Sequence, residues 1–197
     1  MQRRAGRECF GVGDVAAPII VTTIHLLCTY MNKAYLLTGS NMGDRLSNLT
    51  TAIHAITKNC GEIITQSSIY QTAAWGNENQ PDFLNQAILI DTRLKPLELL
   101  QVLLSIEKKI GRIRNKKNDP RTIDIDVLFY NDLILDTAEL QVPHPRLHLR
   151  RFVLVPLNEV APHLIHPVLH QPIQELLNKC PDKLNVKKFS SKLNADY

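Results

Sequence analysis

Hydrophobic and polar positions alternate through residues 118–132, NDPRTIDIDVLFYND. Ile123, Ile125, Val127 and Phe129 share one phase; Thr122, Asp124, Asp126 and Leu128 share the other. A period of two is that of a strand, here with one wholly apolar face. Runs of similar character predict strands at 33–37 (KAYLL), 62–72 (EIITQSSIYQT) and 83–92 (FLNQAILIDT). Between them the period lengthens. Leu46, Leu49, Ile53 and Ile56 trace one face of a helix, with Asp44 placed as its N-cap and Gly61 as its stop. Leu99, Leu103, Ile106 and Ile110 trace a second helix, entered at Pro96 and closed by Gly111. Residues 73–82 and the basic stretch RIRNKKNDP at 112–120 read as loops. Residues 132–145 read as a short hairpin. An apolar segment, FVLVPLNEVAP, and a small helix in QPIQELLNKC follow, and the chain from Pro181 onward reads as a frayed polar tail. The order β-α-β-β-α-β predicts an α+β, ferredoxin-like domain: an antiparallel sheet with helices on one face and C-terminal additions.

With 197 residues and 44% hydrophobic content, the chain suffices for one domain with a sound core. The first thirty residues stand apart. A basic start, MQRRAGR, precedes an apolar run at 15–28 that is too short to cross a membrane and contains Pro18 and His25. We expect residues 1–30 to lie outside the fold, with Met31 a candidate functional start, residues 31–180 as the domain and 181–197 as the tail. The cysteines at 9, 28, 60 and 180 form no CxxC pair. That spacing fits neither a disulfide framework nor a zinc site and points to a reducing cytoplasm. A net charge of +4 suits an anionic small ligand without requiring nucleic acid or a membrane.

The chemistry is concentrated around Asp124 and Asp126. On one strand face they sit about 7 Å apart, close enough to repel unless a cation joins them. Upstream lie Arg112, Arg114, Lys116, Lys117 and Arg121. Taken separately, the cations are an ordinary solvated loop and the carboxylates a charged edge strand that discourages aggregation. Taken together, they describe a triphosphate site: paired carboxylates are hard ligands for Mg²⁺ shared with phosphate, and arginines clamp the remaining charge. Neither a P-loop nor a G-x-G-x-x-G motif is present, so phosphate binding falls to side chains and metal.

Six motifs then carry a family resemblance: GSN (39–41), Q-T-x-x-W-G (71–76), QPDFLN (80–85), I-E-x-x-x-G-R-x-R (106–114), PRTIDIDVL (120–128) and V-P-H-P-R-x-x-x-R-x-F-V-L-x-P-L (142–157). From about Lys33 to Pro172 the chain resembles 6-hydroxymethyl-7,8-dihydropterin pyrophosphokinase of folate synthesis. The resemblance implies transfer of the terminal two phosphates of ATP to the pterin hydroxymethyl oxygen, with release of AMP. It makes Asp124 and Asp126 ligands of two Mg²⁺ ions, and these two aspartates with Arg112 and Arg121 are the catalytic set. Arg112, Arg114, Arg121, His144 and Arg150 match positions that hold ATP phosphates, and Val127 is assigned to the ATP side. Asn85 matches a position that hydrogen-bonds the pterin, Thr72 and Ala73 its rim, and Phe83 and Phe152 the two rings that sandwich it. Trp75 is read as a mobile cover. The chain departs from many members in lacking a tryptophan before Pro120 and in having Pro145 where some have tyrosine.

Rival readings are weaker. An RNA-binding ferredoxin-like module would need the RNP1 pattern, which does not occur, and a carboxylate pair would repel its ligand. A non-catalytic nucleotide sensor is at odds with retention of Asp124, Asp126, Arg112 and Arg121. A zinc site from His144, His148, His163, His166 and His170 lacks the H-E-x-x-H spacing. A monomer is expected.

Overall fold

The period changes seen in the sequence reappear as elements in a computed structural model, which describes residues 31–74, 80–112 and 119–190. The order is β1 (Asn32–Ser40), α1 (Arg45–Asn59), β2 (Glu62–Gln66), β3 (Tyr70–Thr72), β4 (Phe83–Thr92), α2 (Pro96–Ile110) and β5 (Asp124–Tyr130). A hairpin of β6 (Leu135–Asp136) and β7 (Gln141–Val142) follows, then α3 (Arg151–Val160), α4 (Ile173–Lys179) and β8 (Val186–Lys188). The main sheet runs β5-β1-β4-β3-β8, with β2 also paired to β4. All these pairings are antiparallel.

The helix ends follow their caps. The Asp44 side chain accepts from Ser47 N–H at 3.0 Å and starts α1. Pro96 opens α2, Glu98 accepts from Lys95 N–H at 2.8 Å, and Gly111 ends the helix with φ 105°, a left-handed conformation that glycine adopts at little cost.

Four features differ from the sequence reading. First, residues 62–72 are two strands. At Ser67 the chain leaves the regular ladder: Ser67 Oγ accepts from Ala87 N–H at 3.0 Å, and the Ser68 hydroxyl and N–H turn to Glu159 on α3. Second, the segment read only as apolar forms α3 in spite of Pro156, because Val153, Leu154 and Leu157 bury one helical stripe.

Third, helices cover both faces. α1 and α2 pack Leu49, Ile56, Leu99 and Leu103 on the face carrying Ala34, Leu36, Ile88 and Ile125. The second phase of the strands supplies Leu37, Ala87 and Phe129, which also need cover, and α3 and α4 provide it. Phe129 belongs to this second face, not to the Ile123–Ile125–Val127 face. Leu36 pairs with Val127 but Tyr35 with Phe129, so Leu128 is an extra residue and the phase flips there. Fourth, within the expected polar tail, Asp182 accepts from Arg151 N–H at 2.9 Å and β8 pairs with β3, so this stretch is docked on the sheet.

Candidate functional site

α3 covers only part of the second face. The remaining end of that face comprises Thr72 on β3, Phe83 and Asn85 on β4, Gly39 on β1, and Asp124 and Asp126 on β5, one phase read across four strands. Here lies a cavity of 980 Å³. Every predicted site residue among the described ones lines it: Arg112, Arg121, Asp124, Asp126, Val127, His144 and Arg150, and Thr72, Ala73, Phe83, Asn85 and Phe152. Trp75, Arg114, Lys116 and Lys117 lie outside the described residues. The cavity continues past edge strand β5, between Leu100 and Leu104 of α2 and Thr137–Gln141 of the hairpin.

The acidic half is tightly paired. Arg112 and Arg121 each bond one oxygen of Asp124. Arg112 also bonds Glu107, whose Oε1 accepts from Ile125 N–H at 2.8 Å. Glu107 sits at 2% exposure on the buried face of α2. The sequence reading gave it no role. It stands one residue after Ile106, inside the apolar stripe, and a carboxylate at a core position is itself the signal. Burial works against the Arg112 guanidinium, but Asp124 and Glu107 outweigh it and hold its pKa above the usual value. Arg121 Nε is buried without a hydrogen-bond partner, and Arg121 lines the cavity.

Asp126 differs from its neighbour. Burial, and then the charge of Asp124, push it up to about 7, against the opposing pull of Arg150 and Arg121. His144 is pushed down to about 4, first by burial and then by Arg150 and Arg146. Its Nδ1 accepts from Arg146 N–H at 3.2 Å, which puts the proton of the neutral ring on Nε2 and makes that atom a donor.

The other half is aromatic and polar. Asn85, 3% exposed, donates from Nδ2 to Thr72 Oγ1 at 2.9 Å. The Arg121 guanidinium lies 5.7 Å from the Phe83 ring centre and that of Arg150 lies 5.6 Å from Phe152, so each ring is flanked by a cation from the acidic half.

Asn41 ties the two halves. Its Oδ1 accepts from Arg121 N–H at 2.7 Å, while Nδ2 donates to Gln80 Oε1 at 3.3 Å and to the Pro81 carbonyl at 3.4 Å. The GSN motif contained it, but the role needed the fold to be seen.

The sequence profile of the 7,8-dihydro-6-hydroxymethylpterin-pyrophosphokinase (HPPK) family matches residues 35–162, which include all of these positions. The Aquifex aeolicus protein named 2-amino-4-hydroxy-6-hydroxymethyldihydropteridine pyrophosphokinase is 43% identical over 145 residues, covering 74% of this chain and 90% of that one. The chain belongs to the HPPK family. The folic acid synthesis protein fol1 of Schizosaccharomyces pombe is 39% identical over 171 residues, covering 86% of this chain. The chain spans 23% of the length of that relative, so this HPPK-family chain corresponds to a part of it. Among solved structures, wild-type Plasmodium falciparum HPPK-DHPS with pterin and p-hydroxybenzoate has the same fold, with a TM-score of 0.63 at 21% identity over 76% of this chain and 42% of that one.

Whether the HPPK-family site suits a magnesium ion is a question of donors. Asp124 and Asp126 are hard oxygen ligands on one face of β5, and among the described residues no group of three or more His, Cys, Asp and Glu could hold a metal alone. Two carboxylates with the remaining positions left to phosphate and water is the pattern of nucleotide-borne Mg²⁺. Asp126, whose pKa is raised by burial and by the charge of Asp124, would gain a compensating cation by such binding. The residues present fit the ion.

Proposed function

We propose that the chain transfers the pyrophosphoryl group of ATP to the hydroxymethyl oxygen of 6-hydroxymethyl-7,8-dihydropterin, giving AMP and the pterin diphosphate in folate biosynthesis. One observation carries this reading: a carboxylate–arginine cluster and an aromatic–carboxamide slot share one sheet face, separated by a single strand. The first half suits the polyphosphate and the second a flat heteroaromatic with an amide edge. Asn85 has spent one N–H on Thr72; its carbonyl oxygen and second N–H are the donor–acceptor pair such an edge requires. Phe83 and Phe152 would stack on the two ring faces.

In this reading the pterin hydroxyl oxygen bonds to the β-phosphorus and gives up its proton to water, while the bond from that phosphorus to the α–β bridging oxygen breaks and AMP leaves. Arg112, Arg121, Arg150 and neutral His144 hold the phosphate oxygens and offset charge that shifts toward the leaving AMP. Asp124 and Asp126 would hold two Mg²⁺ ions, which supply Lewis-acid polarisation of the transferred group. For Arg112 and Arg121 to turn to phosphate, Asp124 must exchange guanidinium for metal, a trade of one cation for another.

The pyrophosphokinase domain, expected at residues 31–180, is taken to include the docked β8 as well, with a ferredoxin-like core of β1, α1, β2/β3, β4, α2 and β5. A monomer in the cytoplasm is the matching cellular form, and no helix among the described residues is long and apolar enough to cross a membrane. RNA is disfavoured as a ligand because the carboxylates face the cavity. The test mixes the purified chain with Mg²⁺, ATP and the hydroxymethyl-dihydropterin. Pterin-dependent AMP is expected. Pterin-dependent ADP, or no nucleotide turnover, overturns the reading.

A further inference from the structure

Gly39 lies where the two half-sites meet. It is on the central strand β1, paired on one side with Asp124 of β5 and on the other with Asn85 of β4. In an antiparallel sheet these directly opposed residues present side chains to the same face, about 5 Å from the residue between them. One carries the carboxylate of the acidic half, the other the carboxamide of the polar half. The residue between them contributes no side chain, so a trough runs from one half to the other.

A Cβ built on Gly39 would stand 2.9 Å from Asn85 Oδ1 and 3.8 Å from Phe83 Cδ1. The first distance is closer than a carbon tolerates, while the second is ordinary contact. Both atoms belong to the half assigned to the pterin. Backbone conformation does not demand glycine here: Gly43, Gly61 and Gly111 have positive φ, and Gly39 does not. The missing side chain therefore serves the space above the strand rather than its path.

From this we infer that Gly39 is a positioning residue for the pterin: its lack of a side chain lets the Asn85 carboxamide take the orientation in which it bonds Thr72 and faces the ring. A methyl group at 39 acts through Asn85. The carboxamide rotates or withdraws, its 2.9 Å bond to Thr72 is lost, and the donor–acceptor pair no longer matches the pterin edge. The sheet itself survives, since the end of a side chain gives way more readily than a backbone. The inference rests on the proposed pyrophosphokinase reading, and it separates the two ligands, because the acidic half is untouched.

The experiment is a double-mutant cycle on the full chain: wild type, Gly39→Ala, Asn85→Ala and Gly39→Ala/Asn85→Ala. Affinities are measured by calorimetry for 6-hydroxymethylpterin in the presence of a non-hydrolysable ATP analogue and Mg²⁺, and for the analogue alone with Mg²⁺. Gly39→Ala is expected to weaken pterin binding on the order of 10- to 100-fold, the scale of a misdirected buried hydrogen-bonding group, with analogue affinity unchanged. The double variant should bind pterin no more weakly than Asn85→Ala, because the methyl group then has nothing to displace. Unchanged pterin affinity in Gly39→Ala, equal losses for both ligands, or additive losses in the double variant each overturn the inference. If Gly39→Ala does not fold, the double variant still must, since its 2.9 Å clash is gone, and failure of both also overturns it. A wild type that binds analogue but no pterin refutes the proposed function instead, so the two failures are distinguishable.

Discussion

Replacing Asp124 or Asp126 by Asn makes the same chemical change two residues apart on one strand face, yet the surroundings give it opposite signs. From the sequence alone, relief of repulsion would leave the metal-free protein equally stable or more stable in both cases. The structure splits them. Asp124 bonds Arg112 and Arg121, each through a different oxygen. Asn keeps one acceptor and loses the charge, which removes about one charge-assisted bond, ~1.5–3 kcal/mol. Asp126 is pushed up to about 7 by burial and by Asp124. The sign follows from linkage. A carboxyl whose folded pKa lies above its unfolded value of about 4 stabilises the fold while protonated, and that contribution is lost as pH rises from about 4 through about 7. The full shift corresponds to at most ~4 kcal/mol, at 1.36 kcal/mol per unit. Asn retains a buried polar group, so Asp126→Asn should gain ~1–3 kcal/mol at pH 8 and little at pH 4. For a domain of this size each kcal/mol moves Tm by ~2–4 °C. The assay is thermal unfolding in EDTA from pH 4 to 8.5, beside AMP release with Mg²⁺, which should fall ~10²-fold or more in both variants. Tm shifts of the same sign at pH 8, or a gain for Asp126→Asn that does not grow with pH, would refute the reasoning.

Two further outcomes are expected. Glu107→Gln should lower Tm in EDTA by ~3–12 °C, from ~1.5–3 kcal/mol for weakening its bond to Arg112, and should reduce AMP release although residue 107 is on a buried helix face; a variant as stable as wild type would make Glu107 incidental to the cluster. Phe83→Ala and Phe152→Ala should each cost pterin binding ~1–3 kcal/mol by analogy with stacked nucleobases and leave ATP binding nearly unchanged, and equal losses for both ligands in calorimetry would argue against the slot.

The elements with clean periodicity were legible in advance. β4 occupies the predicted 83–92, and both helices begin and end at the residues whose side-chain or glycine chemistry marks them. The strand bearing Asp124 and Asp126 was equally plain, but its phase flip at Leu128 was not: a bulge depends on a neighbouring strand, and one strand's sequence does not contain its partner. Pro156 hid α3 for a similar reason, since tertiary burial of Leu154 and Leu157 outweighs a local cost. Side chains with their own chemical signature (Asp124, Asp126, Arg121, Phe83, Asn85) were singled out from sequence and motif, and they line one cavity. Asn41, Glu107 and Gly39 were not, because what they do is defined by distances between segments far apart in the chain.

The position of α3 has a wider consequence. Arg150 and Phe152 enter the cavity at its start, while Val153, Leu154 and Leu157 rest on Leu37, Ala87 and Phe129. Glu159, near its far end, is fastened to the sheet by Ser68 and by Tyr70, whose hydroxyl lies 2.7 Å away. On the proposed reading the helix works as the jaw of a calliper that faces Phe83, and Ala87, which shares its core cluster, is the shim: a larger residue at 87 is expected to lift the helix and Phe152 with it, so the thickness of ring accepted would be set in the core.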